Sequence, residues 1–317
     1  MSKPIAAVVL LALLASGCAT RGTRGFEAPA PATLAPPTAE AVAAAGETPA
    51  ADEAPAAEGP PADDNLNAVA WTQTAIERDL IYVQTWRDAR EQLARALADR
   101  RWEALPHGTR KAPYKGRRAA VIVDIDETVL DNSPYQARLV REGASYDEFT
   151  WAEWCREERA AAIPGALEFA RHADRLGVTV FYLSNRAADL REATLANLRR
   201  LGFPLPADRN VFLGLGTYVE GCEQNGSEKG CRRELIARDH RVLMQVGDQL
   251  GDFVDVEANT PAGRRQPVAP YLDWIGTRWF VLPNPTYGSW EPALFNNAWS
   301  LPAETRRQAK LDALRVR

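Results

Sequence analysis

Histidine, cysteine and methionine are scarce: the 317 residues hold three, four and two of them. His107, His172 and His240 fall outside every motif described below, which argues against phosphohistidine chemistry and against a two-histidine zinc site. They read as structural or surface residues. Neither Cys155 nor Cys231 is followed six residues later by an arginine, so the loop of a cysteine phosphatase is absent. No Gly-x-x-x-x-Gly-Lys-[Ser/Thr] occurs, which excludes a P-loop. The apolar run from Ile5 to Ala15 is too short to span a bilayer as a permanent helix. Nor does one sign of charge dominate, with 38 Lys and Arg against 42 Asp and Glu. Eight of those acidic residues lie in 26–64, which has no Lys or Arg, and residues 65–317 balance 35 basic against 34 acidic. A near-neutral body has no electrostatic footprint for nucleic acid.

The composition that remains, 46% apolar and 25% charged, is that of a soluble globular protein. Its start is different. Lys3, the Ile5–Ala15 run and Ser16-Gly17-Cys18 read as an export signal over residues 1–17. The segment resembles a bacterial lipobox, with Ala15 where leucine is usual, and so implies Cys18 as the lipidated first residue of the mature chain. Ala19 in place of Asp points to an outer-membrane lipoprotein facing the periplasm or the surface, held to the membrane by its lipid alone. An ordinary cleaved signal with an incidental cysteine is the plainer alternative. Residues 18–64 form the expected anchored linker. Between 26 and 64, 23 of 39 residues are Ala or Pro, too little apolar surface to offset ordering entropy. Export favours disulfides, and Cys222 and Cys231 flank a polar, turn-rich stretch that a bridge would staple. Cys155, between Trp154 and Arg156, reads as a buried thiol.

All nine tryptophans follow residue 65, so the folded body is expected over 65–317. Leu66 to Ala98 lacks Pro and Gly, and Ile76, Leu80, Val83, Leu93 and Leu97 recur at helical spacing. Short apolar runs follow at Ala119–Val123, Val178–Leu183, Val211–Leu213, Val242–Val246 and Trp279–Leu282. Helical stretches at Ala166–Leu176, Leu190–Leu201 and Glu234–Arg238 fall between several of them. Apolar strands alternating with helices predict an α/β fold with a central parallel sheet covered on both faces. Ligands bind such sheets at the strands' carboxyl ends.

The strand ends carry the chemistry. Ala119–Val123 runs into Asp124-Ile-Asp126-Glu-Thr128, Val178–Leu183 into Ser184-Asn185-Arg186, and Val242–Val246 into Gly247-Asp248-Gln-Leu-Gly-Asp252; Lys229 opens the helix before the last of these. Asp124 and Asp126, two apart on extended chain, point to one side, and their repulsion calls for a cation. Oxygen ligands with few protein groups suit Mg²⁺, which binds substrate phosphate through its open positions. This ordered set resembles the haloacid dehalogenase superfamily, and more closely the class C acid phosphatases, the bacterial lipoprotein 5′-nucleotidases. The resemblance rests on Ile122–Tyr135, Phe181–Arg186, Val246–Phe253 and Leu282–Glu291, and spans roughly residues 65–300. Gln249 and Gly251 depart from it, where Asn and Asp are usual.

The resemblance implies a haloacid-dehalogenase-like three-layer sandwich with a small cap and an extra N-terminal helix. It implies that Asp124 attacks phosphorus to form an aspartyl-phosphate, while Asp126 acts as acid and then as base. Mg²⁺ is expected on Asp124, the backbone carbonyl of Asp126, and Asp248. Ser184, Asn185 and Lys229 are expected to hold phosphate, Asp252 to orient a metal-bound water or Lys229, and Thr128 to support the loop. Tyr135 and Tyr287 match rings that sandwich a nucleobase in that family, so nucleoside 5′-monophosphates are the expected substrates. Arg186 could equally be a surface residue and is left outside the site. A broad acid phosphatase without nucleobase preference, and a non-catalytic binding lipoprotein keeping the fold, are the alternatives.

Overall fold

A computed structural model describes residues 64–223 and 226–317. The export signal, Cys18 and all of the linker but Asp64 lie outside the described residues. Five strands form one parallel sheet: β1 (Arg118–Val123), β4 (Thr179–Ala187), β5 (Phe212–Leu215), β6 (His240–Gly247) and β7 (Trp279–Val281). Their order is β5-β4-β1-β6-β7. Each coincides with an apolar run of the sequence. Val121, Ile122 and Val123 are buried, as are Val242 to Val246, because the sheet is covered by helices. Among these are α5 (Ala166–Arg175), α6 (Arg191–Leu201) and α7 (Gly230–Asp239).

The register brings the functional strand ends to one level. Val123 pairs with Tyr182 on one side and with Val246 on the other. The Asp124 amide then donates to the Val246 carbonyl at 2.9 Å. Gly247 pairs with Val281, so the chain leaving β7 emerges beside Asp248.

The opening helical segment differs from its expected form. It is two helices, α1 (Leu66–Thr74) and α2 (Ile76–Ala98), separated by Ala75 in an extended conformation. The buried stripe of α2 is Arg78, Tyr82, Trp86, Ala89, Leu93 and Ala96, whereas Ile76 and Leu80 are 62% and 59% exposed. Aromatic and alanine side chains form the inward face because they fit a close approach. Trp86 lies against Phe169 with ring centroids 5.0 Å apart, and a side chain at Gly165 would stand 3.0 Å from its Cβ. The Tyr82 hydroxyl donates to the Pro283 carbonyl, tying α2 to the loop after β7.

Between β1 and β4 lies a small cap. It comprises a two-stranded antiparallel ribbon, β2 (Leu130–Asp131) with β3 (Ala161–Ala162), and the helices α3 (Ser133–Glu142) and α4 (Glu148–Arg156). Asp147 caps α4 by accepting from the amides of Phe149 and Thr150. Trp151, Trp154 and Cys155 of α4 are buried, and the Cys155 thiol is free. A last helix, α8 (Ala303–Asp312), has no buried residue. No helix among the described residues is long and apolar enough to cross a membrane.

Candidate active site

Four segments meet at the carboxyl ends of β1, β4 and β6. Lys229, at the N-terminus of α7, donates from Nζ to Asp124 Oδ1 at 2.5 Å and to Asp252 Oδ1 at 2.6 Å. All three side chains are less than a tenth exposed. Asp252 places its second oxygen on the Gln249 amide at 2.8 Å, so both of its oxygens are engaged. Thr128 donates to Asp124 Oδ2 at 3.3 Å. Asp124, Asp248 and Asp252 each offer a carboxylate oxygen, and these lie within 4.8 Å of one another.

The electrostatics follow from three clustered carboxylates, of which Asp124 and Asp252 share one ammonium. Burial pushes the Asp124 carboxyl well above its ordinary range; Lys229 opposes this, while Asp252, Asp248 and Asp126 add to it. Burial and then Asp252 push Asp248 up to about 7, against the donations it receives from Gln249 and Asn284. Burial would lower Lys229, but Asp124 and Asp252 outweigh it and keep the ammonium charged. The excess negative charge on hard oxygens fits a divalent cation such as Mg²⁺.

Asp126 stands on the other side of the strand end. Its Oδ1 accepts from Asn132 Nδ2 and from Arg186 Nε, each at 2.9 Å. Its Oδ2 accepts from Ser184 Oγ at 3.2 Å. Ser184 is fully buried, and its Oγ also accepts from the Arg186 amide. Asn185 is exposed, with its amide oxygen held by Arg232 Nη2 at 2.8 Å. Arg232 itself is buried and donates to the carbonyls of Ser184 and Glu228, bracing the loops that carry Asn185 and Lys229. Cys222 and Cys231 are joined by a disulfide, whose second sulfur belongs to the first turn of α7.

Packing takes two of the residues weighed in the sequence away from open surface. Arg186 is 1% exposed rather than at the surface. Besides Asp126 it donates to Asn132 Oδ1 and Thr194 Oγ1, and its guanidinium lies 5.5 Å from the Trp151 ring centroid. Buried cations are held by such partners, and all of these but Thr194 are distant in sequence. Tyr135 is 2% exposed and presents no open face for a nucleobase. Its ring closes edge-on against Trp151 at 5.2 Å and its hydroxyl meets Thr150 Oγ1 at 3.1 Å, so it belongs to the core of the cap. Tyr287 is half-buried on the loop after β7, and its hydroxyl donates to Glu127 Oε2.

Glu127 was no candidate in the sequence. It is 1% exposed, adopts φ 55° and accepts from the Asn132 amide at 2.7 Å. Burial, Asp126 and Asp248 raise its carboxyl well above the ordinary range. A left-handed backbone at a non-glycine residue is uncommon, and here it turns the chain directly after the Asp124–Asp126 pair. The one local hint was its place between the two motif residues Asp126 and Thr128.

Comparison with known proteins supplies an independent finding. A family model described as HAD superfamily, subfamily IIIB (acid phosphatase) matches residues 61–290. Acid phosphatase 1 of Solanum lycopersicum is 25% identical over 166 residues, 52% of this chain and 57% of that protein. A stem 31 kDa glycoprotein of Glycine max is also 25% identical over 166 residues, covering 52% and 58% of the two chains. The chain thus spans little more than half the length of these curated relatives. Among solved structures, the class C acid phosphatase from Bacillus anthracis superposes with a TM-score of 0.68 at 30% identity, covering 80% of this chain and 97% of that one. A tungstate-bound structure of that protein matches equally well.

Proposed function

This chain belongs to the HAD superfamily, subfamily IIIB (acid phosphatase), and from that premise we propose that it hydrolyses phosphomonoesters with a divalent cation, Mg²⁺, at the β1 and β6 strand ends. The observation that carries this reading is the meeting of buried Asp124, Lys229 and Asp252 with half-buried Asp248 in one cluster. Asp124, Asp248 and the backbone carbonyl of Asp126 would hold the cation. When bound, it supplies positive charge that neutralises phosphate oxygens and keeps Asp124 ionised.

The chain's own groups do the remaining work. Asp124 attacks phosphorus as the nucleophile; the ester P–O bond breaks and an aspartyl-phosphate forms on its carboxylate. The leaving alkoxide takes a proton from Asp126, a step of the kind that contributes roughly 10²–10⁴-fold. Oδ1 of Asp126 already accepts from two N–H donors, so Oδ2, beside Ser184, is the oxygen that carries the proton. Water then attacks the phosphorus, its proton passes to Asp126, and Asp124 is released with inorganic phosphate. Lys229 neutralises the phosphate oxygens, and Asp252 aims it. Ser184 and Asn185 complete the phosphate cradle.

Nucleoside 5′-monophosphates are the proposed substrates, with the half-buried Tyr287 ring as the stacking surface. The burial of Tyr135 favours a second reading, hydrolysis of varied phosphomonoesters without nucleobase preference. The chain is proposed to act outside the cytoplasm, as an outer-membrane lipoprotein anchored through Cys18. Phosphate release from AMP and from glycerol phosphate, with Mg²⁺ and with EDTA, tests both readings. Wild type is expected to turn over only with the metal, and Asp124→Asn to lose turnover while folding normally. Turnover that survives in Asp124→Asn sinks the assignment. Equal rates on the two substrates select the second reading.

A further inference from the structure

Gln249 follows the acidic residue Asp248 and has no part in the steps above. Its amide joins three things at once. Nε2 donates to Asp248 Oδ2 at 2.9 Å and to the Tyr287 carbonyl at 3.2 Å. Oε1 accepts from the Ser289 amide at 3.2 Å. The loop after β7 answers from its other end, where Asn284 Nδ2 donates to the same Asp248 Oδ2 at 2.8 Å. The Oδ1 of Asn284 collects the amide and hydroxyl of Thr286 at 3.0 and 2.7 Å, which holds the loop in its turn. Both donations to Asp248 end on Oδ2, and so leave Oδ1 as its ligand atom for a cation.

The backbone makes room for this arrangement at one residue. Gly288 lies between the two loop groups that Gln249 holds, with φ +146°. A Cβ there would stand 2.3 Å from both Nε2 and Oε1 of Gln249. A side chain there would push the glutamine amide out of these contacts, so the contacts hold only with glycine at 288.

From these contacts we propose that Gln249 is a positioning residue that locks the Asp248 carboxylate and the 284–290 loop into one unit. Cation binding at Asp248 thereby sets the position of Tyr287. The inference rests on the reading of Asp248 as a metal ligand. A cation on Oδ1 fixes the carboxylate; the two donors on Oδ2 pass that order to the loop. Asparagine at this position is one methylene shorter and cannot reach Asp248, Tyr287 and Ser289 together. The longer side chain is therefore what extends the coupling to the substrate side.

The test uses the full chain and has a readout other than turnover. Hydrogen–deuterium exchange of residues 284–290 is followed with and without Mg²⁺, and Mg²⁺ affinity is measured by calorimetry. In the wild type, Mg²⁺ slows exchange in the loop. Gln249→Leu still binds Mg²⁺, within about tenfold of wild-type affinity, but its loop exchange no longer responds to the ion. KM for AMP rises about tenfold with kcat nearly unchanged, as expected for lost positioning of bound substrate. Gly288→Ala, which displaces the amide without removing it, gives the same pattern, and the double variant is no worse than either single one. Protection by Mg²⁺ that persists in Gln249→Leu overturns the inference, as does a wild-type loop indifferent to a bound ion. Wild-type Mg²⁺ affinity in Asp248→Asn instead overturns the metal reading beneath it. Should Gln249→Leu fail to fold, Gly288→Ala and Gln249→Asn decide the matter by the same exchange measurement.

Discussion

The strand-end cluster and the cap are built on different physics. At the strand ends Asp124, Asp126, Asp248 and Asp252 each take two or more polar partners. The cap is held mainly by rings: Tyr135, Tyr146 and Trp151 meet with centroids 5.2 to 6.5 Å apart. A polar cluster fixes atoms to tenths of an ångström, because a buried charge without its partner is costly. An aromatic cluster fixes a shape and leaves the outer rings free, as with Tyr146, which is 55% exposed. On the proposed reading the chemistry belongs to the first region, and the proposed contact with the organic group, Tyr287, to the loop after β7 rather than to the rings of the cap.

Lys229 offers the hardest blow to that division. Lys229→Met removes the ammonium shared by Asp124 and Asp252, and kcat/KM is expected to fall at least about 10³-fold, the scale of losing one charge-stabilising group. Phosphate release against a substrate series measures it; a loss under tenfold means the cluster is structural. Arg186 is where the two regions touch, since it holds Asp126 and lies over Trp151. Arg186→Leu leaves the half-buried Asp126 carboxylate short of its partner and is expected to cost about 3 kcal/mol of stability. Urea unfolding measures that, and kcat should fall with it. Arg186→Lys, which keeps the charge but not the fork, restores part of the stability and less of kcat.

A smaller effect separates the regions by pH. In the metal-free chain, burial and mutual repulsion raise Asp124 and bring Asp248 to about 7. A carboxyl raised on folding contributes stability in acid, and loses it as pH climbs through the folded value. The metal-free Tm is therefore expected to fall on going from pH 5 to pH 7.5, on the order of 5 °C. Millimolar Mg²⁺ should remove most of that fall, and calorimetric scans at both pH values report it. A metal-free Tm that rises with pH contradicts the raised carboxyls. The mildest change is Tyr135→Phe, which loses only the hydroxyl contacts to Thr150 Oγ1 and the Asp147 carbonyl in the cap. It is expected to cost about 1 kcal/mol and to leave the AMP to glycerol phosphate ratio unchanged. A change in that ratio would return Tyr135 to the substrate surface.

Much of the first region was legible before any coordinates. Asp124, Asp126, Ser184, Asp248 and Lys229 sit where apolar runs end or a helix begins, and a parallel sheet gathers such ends by its topology. The burial of Arg186 and Tyr135 is not legible in the sequence, for one reason. Local pattern says what a residue is, but whether it faces inward depends on partners such as Asn132, Trp151 and Thr150. Glu127 escaped because its significance lies in a left-handed turn and in Tyr287, 160 positions away. In α2 the spacing pointed to a helix, and Leu93 of that set is buried, but Tyr82, Trp86 and alanines rather than Ile76 and Leu80 complete the inner face.

The amino-acid order alone decided that strands and helices alternate, where each strand stops, and which acidic groups stand at the stops. These are consequences of short-range chain geometry and of apolar runs that must leave water. The inward side of α2, the anchoring of Asp126 by Arg186 and the grip of Gln249 on the loop came only with assembly. Each depends on groups that meet solely because a sheet and its crossovers bring distant chain together.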